Sequence, residues 1–243
     1  LAPYLVPSSS YRSGKLTAIV KVQRKQEDTN MMNDEASSPV VLFEKGAEIV
    51  AVGQAICAAY SGCPATRVHM VLDVDFQGDR RLMHAEVQAR EFVAAPLMLV
   101  GEECLVSANS FSGERVYTRK FIPVWPNLRQ AARPAEGVSS SKVTTKARIV
   151  HKVETVSSSY SGHQVSLVHF RVELVDFENQ TAYFDLRPDE VAQAALVIPG
   201  QTVEITFFDC FDEPGRLNVK GLSFDWVEYR KVQLGARRAR SAA

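Results

Sequence analysis

The sequence lacks any apolar run long enough to cross a membrane as a helix, any excess of one charge, and any metal-binding arrangement of cysteines. A spanning helix needs about 20 consecutive apolar residues. The longest apolar stretch here, around Pro96 to Val100, is broken at once by Gly101 and Glu102, so a soluble chain is expected. Lys plus Arg and Asp plus Glu are both 28 among 243 residues. That balance argues against a protein that coats nucleic acid by charge alone, because neutralising phosphates takes clustered Lys and Arg. Cys57, Cys63, Cys104 and Cys210 form no CxxC pair and no Cys/His ligand cluster. A zinc module and a secreted disulfide framework are both disfavoured, and free thiols in a reducing, intracellular compartment are expected.

Catalytic signatures are missing as well. The sequence contains no Gly-x-Ser-x-Gly, no P-loop and no Gly-x-Gly-x-x-Gly. His69, His84, His151, His163 and His169 include no HxxxH pair. Asp73 and Asp75 put two carboxylates on one strand face, as metal-dependent transferases sometimes do, but no third acidic ligand accompanies them. A solvated strand face with paired charges is the better reading. The expectation is a protein that is not an enzyme, with no cofactor, no metal and no small-molecule substrate.

What the sequence does contain is a repeat at a spacing of about 100 residues. Ile49-Val50 returns as Ile149-Val150, Tyr60-Ser61-Gly62 as Tyr160-Ser161-Gly162, and Val68-His69 as Val168-His169. With one residue of slippage Asp75-Phe76 answers Asp176-Phe177. Val100-Gly101-Glu102 then answers Pro199-Gly200-Gln201, and Trp125 answers Trp226. Within each copy the polarity alternates with period two, which marks half-buried strands. Val68, Met70, Leu72, Val74 and Phe76 fall on one side in the first copy, and Val168, Phe170, Val172 and Leu174 in the second.

Each copy reads as a strand near 48–58 or 146–156, a Tyr-Ser-Gly turn, the alternating strand, and a third strand near 81–89 or 181–187. A short helical segment comes next. In the second copy it opens at Pro188, followed by Asp189 and Glu190, where a helix start favours proline and acids. A fourth strand runs from Gln201 to Phe208 and a fifth from Asn218 to Tyr229, separated by the turn Asp212-Glu213-Pro214-Gly215.

Three strands, a helix and two strands is the order of the five-stranded Greek-key barrel called the OB-fold. The passage Val191-Ala192-Gln193-Ala194-Ala195-Leu196-Val197-Ile198-Pro199-Gly200-Gln201-Thr202-Val203-Glu204-Ile205 resembles the helix–Gly–strand passage of single-stranded-DNA-binding proteins of bacteria and mitochondria. It also resembles the OB modules of RNA-editing complexes. The expected fold is all-β, with two tandem five-stranded OB-fold-like barrels, each carrying a short helix between strands 3 and 4. Residues 1–46 are expected to form an N-terminal extension with one strand (Lys15 to Val22) and a polar loop. Residues 47–130 form the first barrel, 131–141 a linker, 142–232 the second barrel, and 233–243 a basic tail. A chain beginning at Leu1 is what an imported organellar protein without its transit peptide would present, so the mitochondrial matrix is the expected compartment.

Binding to single strands by such barrels needs aromatic platforms and local cations. The residues that fit are Tyr60, Arg67, His69, Arg80, Arg81 and His84 in the first copy, with Tyr160, His169, Arg171 and Tyr183 in the second. His69 and His169 are expected to face outward, Arg80 and Arg81 to lie in the loop between strands two and three, and Trp125 and Trp226 to pack in cores or between domains. The expected function is non-catalytic binding of single-stranded RNA or DNA, within a larger nucleoprotein complex with protein partners and no membrane. The alternative is a structural docking subunit of a ribonucleoprotein or replication assembly. Equal totals of acid and base, and a second copy with 13 acidic against 10 basic side chains over residues 140–232, favour that alternative.

Overall fold

A computed structural model describes residues 43–58, 63–76, 79–112, 114–131, 141–158 and 163–224, together with Val227, Arg230 and Lys231. Ten strands account for most of them. In the first half these are β1 (Phe43–Ala58), β2 (Pro64–Phe76), β3 (Asp79–Gln88), β4 (Glu103–Ser112) and β5 (Arg115–Pro123). In the second they are β6 (Val143–Ser158), β7 (Gln164–Leu174), β8 (Gln180–Leu186), β9 (Thr202–Asp209) and β10 (Leu217–Ser223). The expected fifth strand of the second half stops at Ser223 and not at Tyr229.

The first five strands close into a barrel in the order β1-β2-β3-β5-β4, which is the OB-fold-like order. Closure falls at a short parallel seam, where His84 and Ala85 of β3 meet Arg115 and Val116 of β5. The long β1 makes this possible by serving two neighbours. Residues 43–48 pair with β4 and residues 47–58 with β2. The strand turns between partners at a bulge between Ile49 and Ala51, since an extra unpaired residue bends the strand.

The second sheet runs β10-β9-β6-β7-β8. It keeps the neighbours of the first but is not closed by a ladder, contrary to the expectation of two barrels. β6 serves β9 with residues 143–148 and β7 with residues 147–158, bulging between Ile149 and His151. The inter-strand corners also correspond. Gly101 N–H donates to Ile49 O at 2.8 Å, and Gly200 N–H donates to Ile149 O at 2.8 Å. Both glycines have left-handed backbone, φ 86° and 85°, which an L side chain resists.

Residues 126–129, which follow β5, lie at the open seam of the second sheet. Thr181 N–H donates to Asn127 O (2.8 Å), Arg129 N–H to Thr181 O (2.9 Å), and Gly215 N–H to Arg129 O (2.8 Å). One parallel bridge, Tyr183 to Arg216, completes the contact. The stretch assigned by sequence to the end of the first barrel thus works as a wedge between β8 and the turn before β10. All described residues belong to one compact unit.

Each sheet wraps its own core. Ile49, Val68, Met70, Leu72 and Val74 lie in the first, and Ile149, Phe170, Val172, Leu174 and Phe207 in the second. The period-two pattern produces this directly, because alternate side chains point to opposite faces. The helix between strands 3 and 4 is smaller than expected. In the second half it is one turn, α1 (Gln193–Leu196), starting after Pro188; in the first it is a 3-10 turn at Ala95–Leu97. The segment after Pro188 is a turn and not a helix start, and Arg187 pairs with Asp189 and Glu190 beside it.

Candidate nucleic-acid interface

The outer face of β2 and β3, with the adjoining edge of β5, carries the chemistry. Alternation around buried Val68 and Met70 points Arg67 and His69 outward, and alternation around Met83, Ala85 and Val87 does the same for His84 and Glu86. The β2–β3 register sets His69 opposite Glu86. His84 faces Arg115 across the seam.

The two imidazoles form a flat unit. Their planes are 5° apart with centroids at 5.5 Å, while His69 Nδ1 and His84 Nε2 approach to 3.3 Å. Nitrogens so much closer than centroids mean that the rings meet edge to edge. One ring supplies an N–H and the other a lone pair. Glu86 bridges two guanidiniums beside them, pairing with Arg67 and, at 3.3 Å, with Arg115. The hydrogen bond from Arg67 holds the Glu86 carboxyl below the usual carboxylate range against the opposing effect of burial, helped by the charges of Arg67, His69 and Arg115. The Glu86 carboxylate is thus shared between two arginines. Tyr117 stands two residues along from Arg115 and is 51% exposed.

Arg80 and Arg81 lie at the start of β3 and not in a loop, and both are engaged. Arg80 reaches Asp73 at 3.1 Å and Glu48 at 3.5 Å, and Arg81 reaches Asp79 at 2.6 Å. A phosphate there would compete with carboxylates already in place.

No family model matches the sequence, and no curated protein matches it. Among solved structures the chain is similar to the wild-type single-stranded DNA binding protein from Thermus aquaticus, at 10% identity and a TM-score of 0.26, covering 75% of this chain and 91% of that one. A deletion mutant of the same protein gives 10% identity and a TM-score of 0.27, covering 75% of this chain and 93% of that one. What the face can do follows from its own residues.

The second-copy residues sit differently. His169 was expected to face outward and is fully buried; its Nε2 lies 2.8 Å from Thr155 Oγ1. Burial pushes its pKa down to about 4, with the Val93 backbone acting in the opposite direction, so the ring is neutral at physiological pH. Tyr183 is buried too and belongs to the core cluster of the first barrel; burial raises its phenol pKa. Arg171 is pinned between Glu102, 2.5 Å away, and the Trp125 ring, whose centroid lies 4.2 Å from its guanidinium carbon. The cause is the packing of the first barrel onto the β7–β8 face, which covers the positions equivalent to the exposed ones on β2–β3. Tyr60 and Tyr160 lie outside the described residues.

The structure thus brings Arg67, His69 and His84, which the sequence singled out, onto one face with Arg115, Glu86 and Tyr117, which it did not. A signal for two of these was present. Arg115-Val116-Tyr117 alternates about one apolar residue, but only the β3–β5 seam shows that this strand adjoins the histidines. Among the described residues no group of three or more His, Cys, Asp or Glu side chains could hold a metal ion.

Proposed function

We propose that this chain binds single-stranded nucleic acid, without catalysis, on the β2–β3–β5 face of its first barrel. The observation that carries the reading is the flat His69–His84 pair set beside Arg67 and Arg115. A π-face accepts any base by stacking, and a neighbouring guanidinium accepts the phosphate that follows it. Tyr117 would extend the stacking surface along β5.

In this reading residues 47–130 and 142–232 are two OB-like units in tandem, joined through 131–141 and the wedge at 126–129. RNA and DNA are both admissible, because the face offers stacking and charge and no dedicated contact to a 2′-hydroxyl. Protein partners in a mitochondrial nucleoprotein complex remain part of the proposal. A docking subunit is the second reading. It is favoured by the carboxylates that already occupy Arg80 and Arg81, a mixed-charge surface suited to a protein.

Fluorescence anisotropy with labelled dT and U oligonucleotides of about 30 residues, longer than the ~4–16 that one OB-fold covers, tests the first reading. Binding should weaken with salt. Arg115→Ala should flatten the salt dependence by about 0.7 in log–log slope, the value for one phosphate on a single strand. Glu86→Gln should tighten binding by removing the carboxylate that competes with a phosphate for Arg115. No binding at low salt would end this reading and leave the docking one.

A further inference from the structure

The register places the two copies in correspondence, position by position. His69 faces Glu86 as His169 faces Asp185, and His84 meets Arg115 as Tyr183 meets Arg216. The β7–β8 face thus has the location and much of the chemistry of the partly exposed β2–β3 face. It differs in being occupied.

Its occupants are informative. The Arg171 guanidinium carbon lies over the Trp125 indole, 4.2 Å from its centroid, and the indole meets the Tyr183 ring edge-on at 5.7 Å and 85°. The Glu102 carboxylate accepts from Arg171 Nη1 at 2.5 Å and from Trp125 Nε1 at 3.0 Å. An aromatic ring in cation–π contact with an arginine, and an anion bonded to the same arginine, are the chemical make-up of a nucleotide in a single-strand site.

We propose that the β7–β8 face is a second single-strand site, held closed in cis by Trp125 and Glu102, which stand in for a base and a phosphate. This rests on the proposed function of the β2–β3 face. The stand-in is tethered by the wedge at Asn127–Arg129, so it outcompetes a free ligand through its high effective concentration. The chain as folded offers one site, and weakening the stand-in exposes another.

The second copy itself shows how to weaken it without harming the fold. Glu102 Oε2 also accepts from Leu99 N at 2.9 Å, and in the equivalent turn Gln201 Oε1 accepts from Ile198 N at 3.3 Å. Glu102→Gln therefore keeps the turn and removes the anion. Trp125→Ala removes the aromatic.

Native mass spectrometry of the full chain with dT and U oligonucleotides of about eight residues, within the range of one barrel, reads the stoichiometry directly. Wild type should take one per chain. Glu102→Gln and Trp125→Ala should each take two, and Arg171→Ala added to either should restore one. Should Trp125→Ala fail to melt cooperatively, Glu102→Gln decides alone. One per chain in a folded Glu102→Gln variant overturns this proposal and leaves the first face standing. None for wild type but one for the variants overturns the reading of the first face and upholds the second. None in any protein overturns both.

Discussion

Arg129 is the residue on which the union of the two sheets should depend most. Its guanidinium makes a bidentate pair with Asp209, 2.7 Å from Nε to Oδ1 and 2.9 Å from Nη2 to Oδ2, and donates a third bond to Gln180 at 3.0 Å. It also lies over the Phe177 ring at 4.5 Å. The two side chains are only 12% and 17% exposed. Removing one partner of a buried ion pair costs about 3–5 kcal/mol, because the other charge is left uncompensated. The residual exposure of both groups puts Arg129→Ala near the lower bound, about 3 kcal/mol, and the lost cation–π contact adds about 0.5–1 kcal/mol. For a unit of this size each kcal/mol shifts the melting temperature by roughly 2–4 °C, so the expected drop is about 6–16 °C. Urea melts give the free energy. Hydrogen exchange gives the location, since the Thr181 and Gly215 amides that bond the wedge should lose protection first. Arg129→Met combined with Asp209→Leu should regain most of the loss by removing both charges. A loss below about 1 kcal/mol for Arg129→Ala, or unchanged exchange at those amides, would refute the assignment of the wedge as the clamp.

Three further outcomes follow from the same geometry. His169 has a folded pKa of about 4 against an ordinary 6.5, so folding favours its neutral form. The stability this confers is complete above pH 6.5 and is lost as the pH falls toward 4, by about 3 kcal/mol in all. Burial lowers His151 as well, so the comparison should be wild type against His169→Gln, whose urea midpoint should fall less between pH 7.5 and about pH 4. Burial pushes the Cys104 thiol up to about 12, while Cys57, Cys63 and Cys210 are only half-buried; iodoacetamide should modify Cys104 last, and mass mapping that found it first would contradict the packing. Gly215 has φ 77°, and a Cβ there would come within 2.3 Å of Leu128 Cδ1 and 3.2 Å of Tyr183 Cε1. Gly215→Ala should cost about 2 kcal/mol or more through strain and clash, read by thermal melting against Gly200→Ala, which meets open space and should cost only about 1 kcal/mol.

Much of the fold was legible in the residues, and for identifiable reasons. The alternation of Val68, Met70, Leu72 and Val74 with polar neighbours fixes a half-buried strand, because consecutive side chains must point to opposite faces. The recurrence of Ile49-Val50 and Gly101 as Ile149-Val150 and Gly200 marks two bulges and two left-handed corners, which are local backbone requirements. Arg67, His69 and His84 could be placed outward for the same local reason. The helix start at Pro188 failed, because residues 188–190 form a turn and the single helical turn begins only at Gln193.

His169, Arg171 and Tyr183 show where local rules end. Period two says correctly that they leave their own core, and says nothing about what lies on the other side. That side is the first barrel, delivered by Trp125, Glu102 and the wedge at 126–129, which are 40–81 residues away along the chain. The sequence alone determined which side of each alternating strand faces a core, a property set by neighbours within a few residues. Only tertiary packing decided which outer face stays open to solvent and which is sealed, and with it that Arg115 joins the histidines, because contact between distant segments leaves no periodic trace in the sequence.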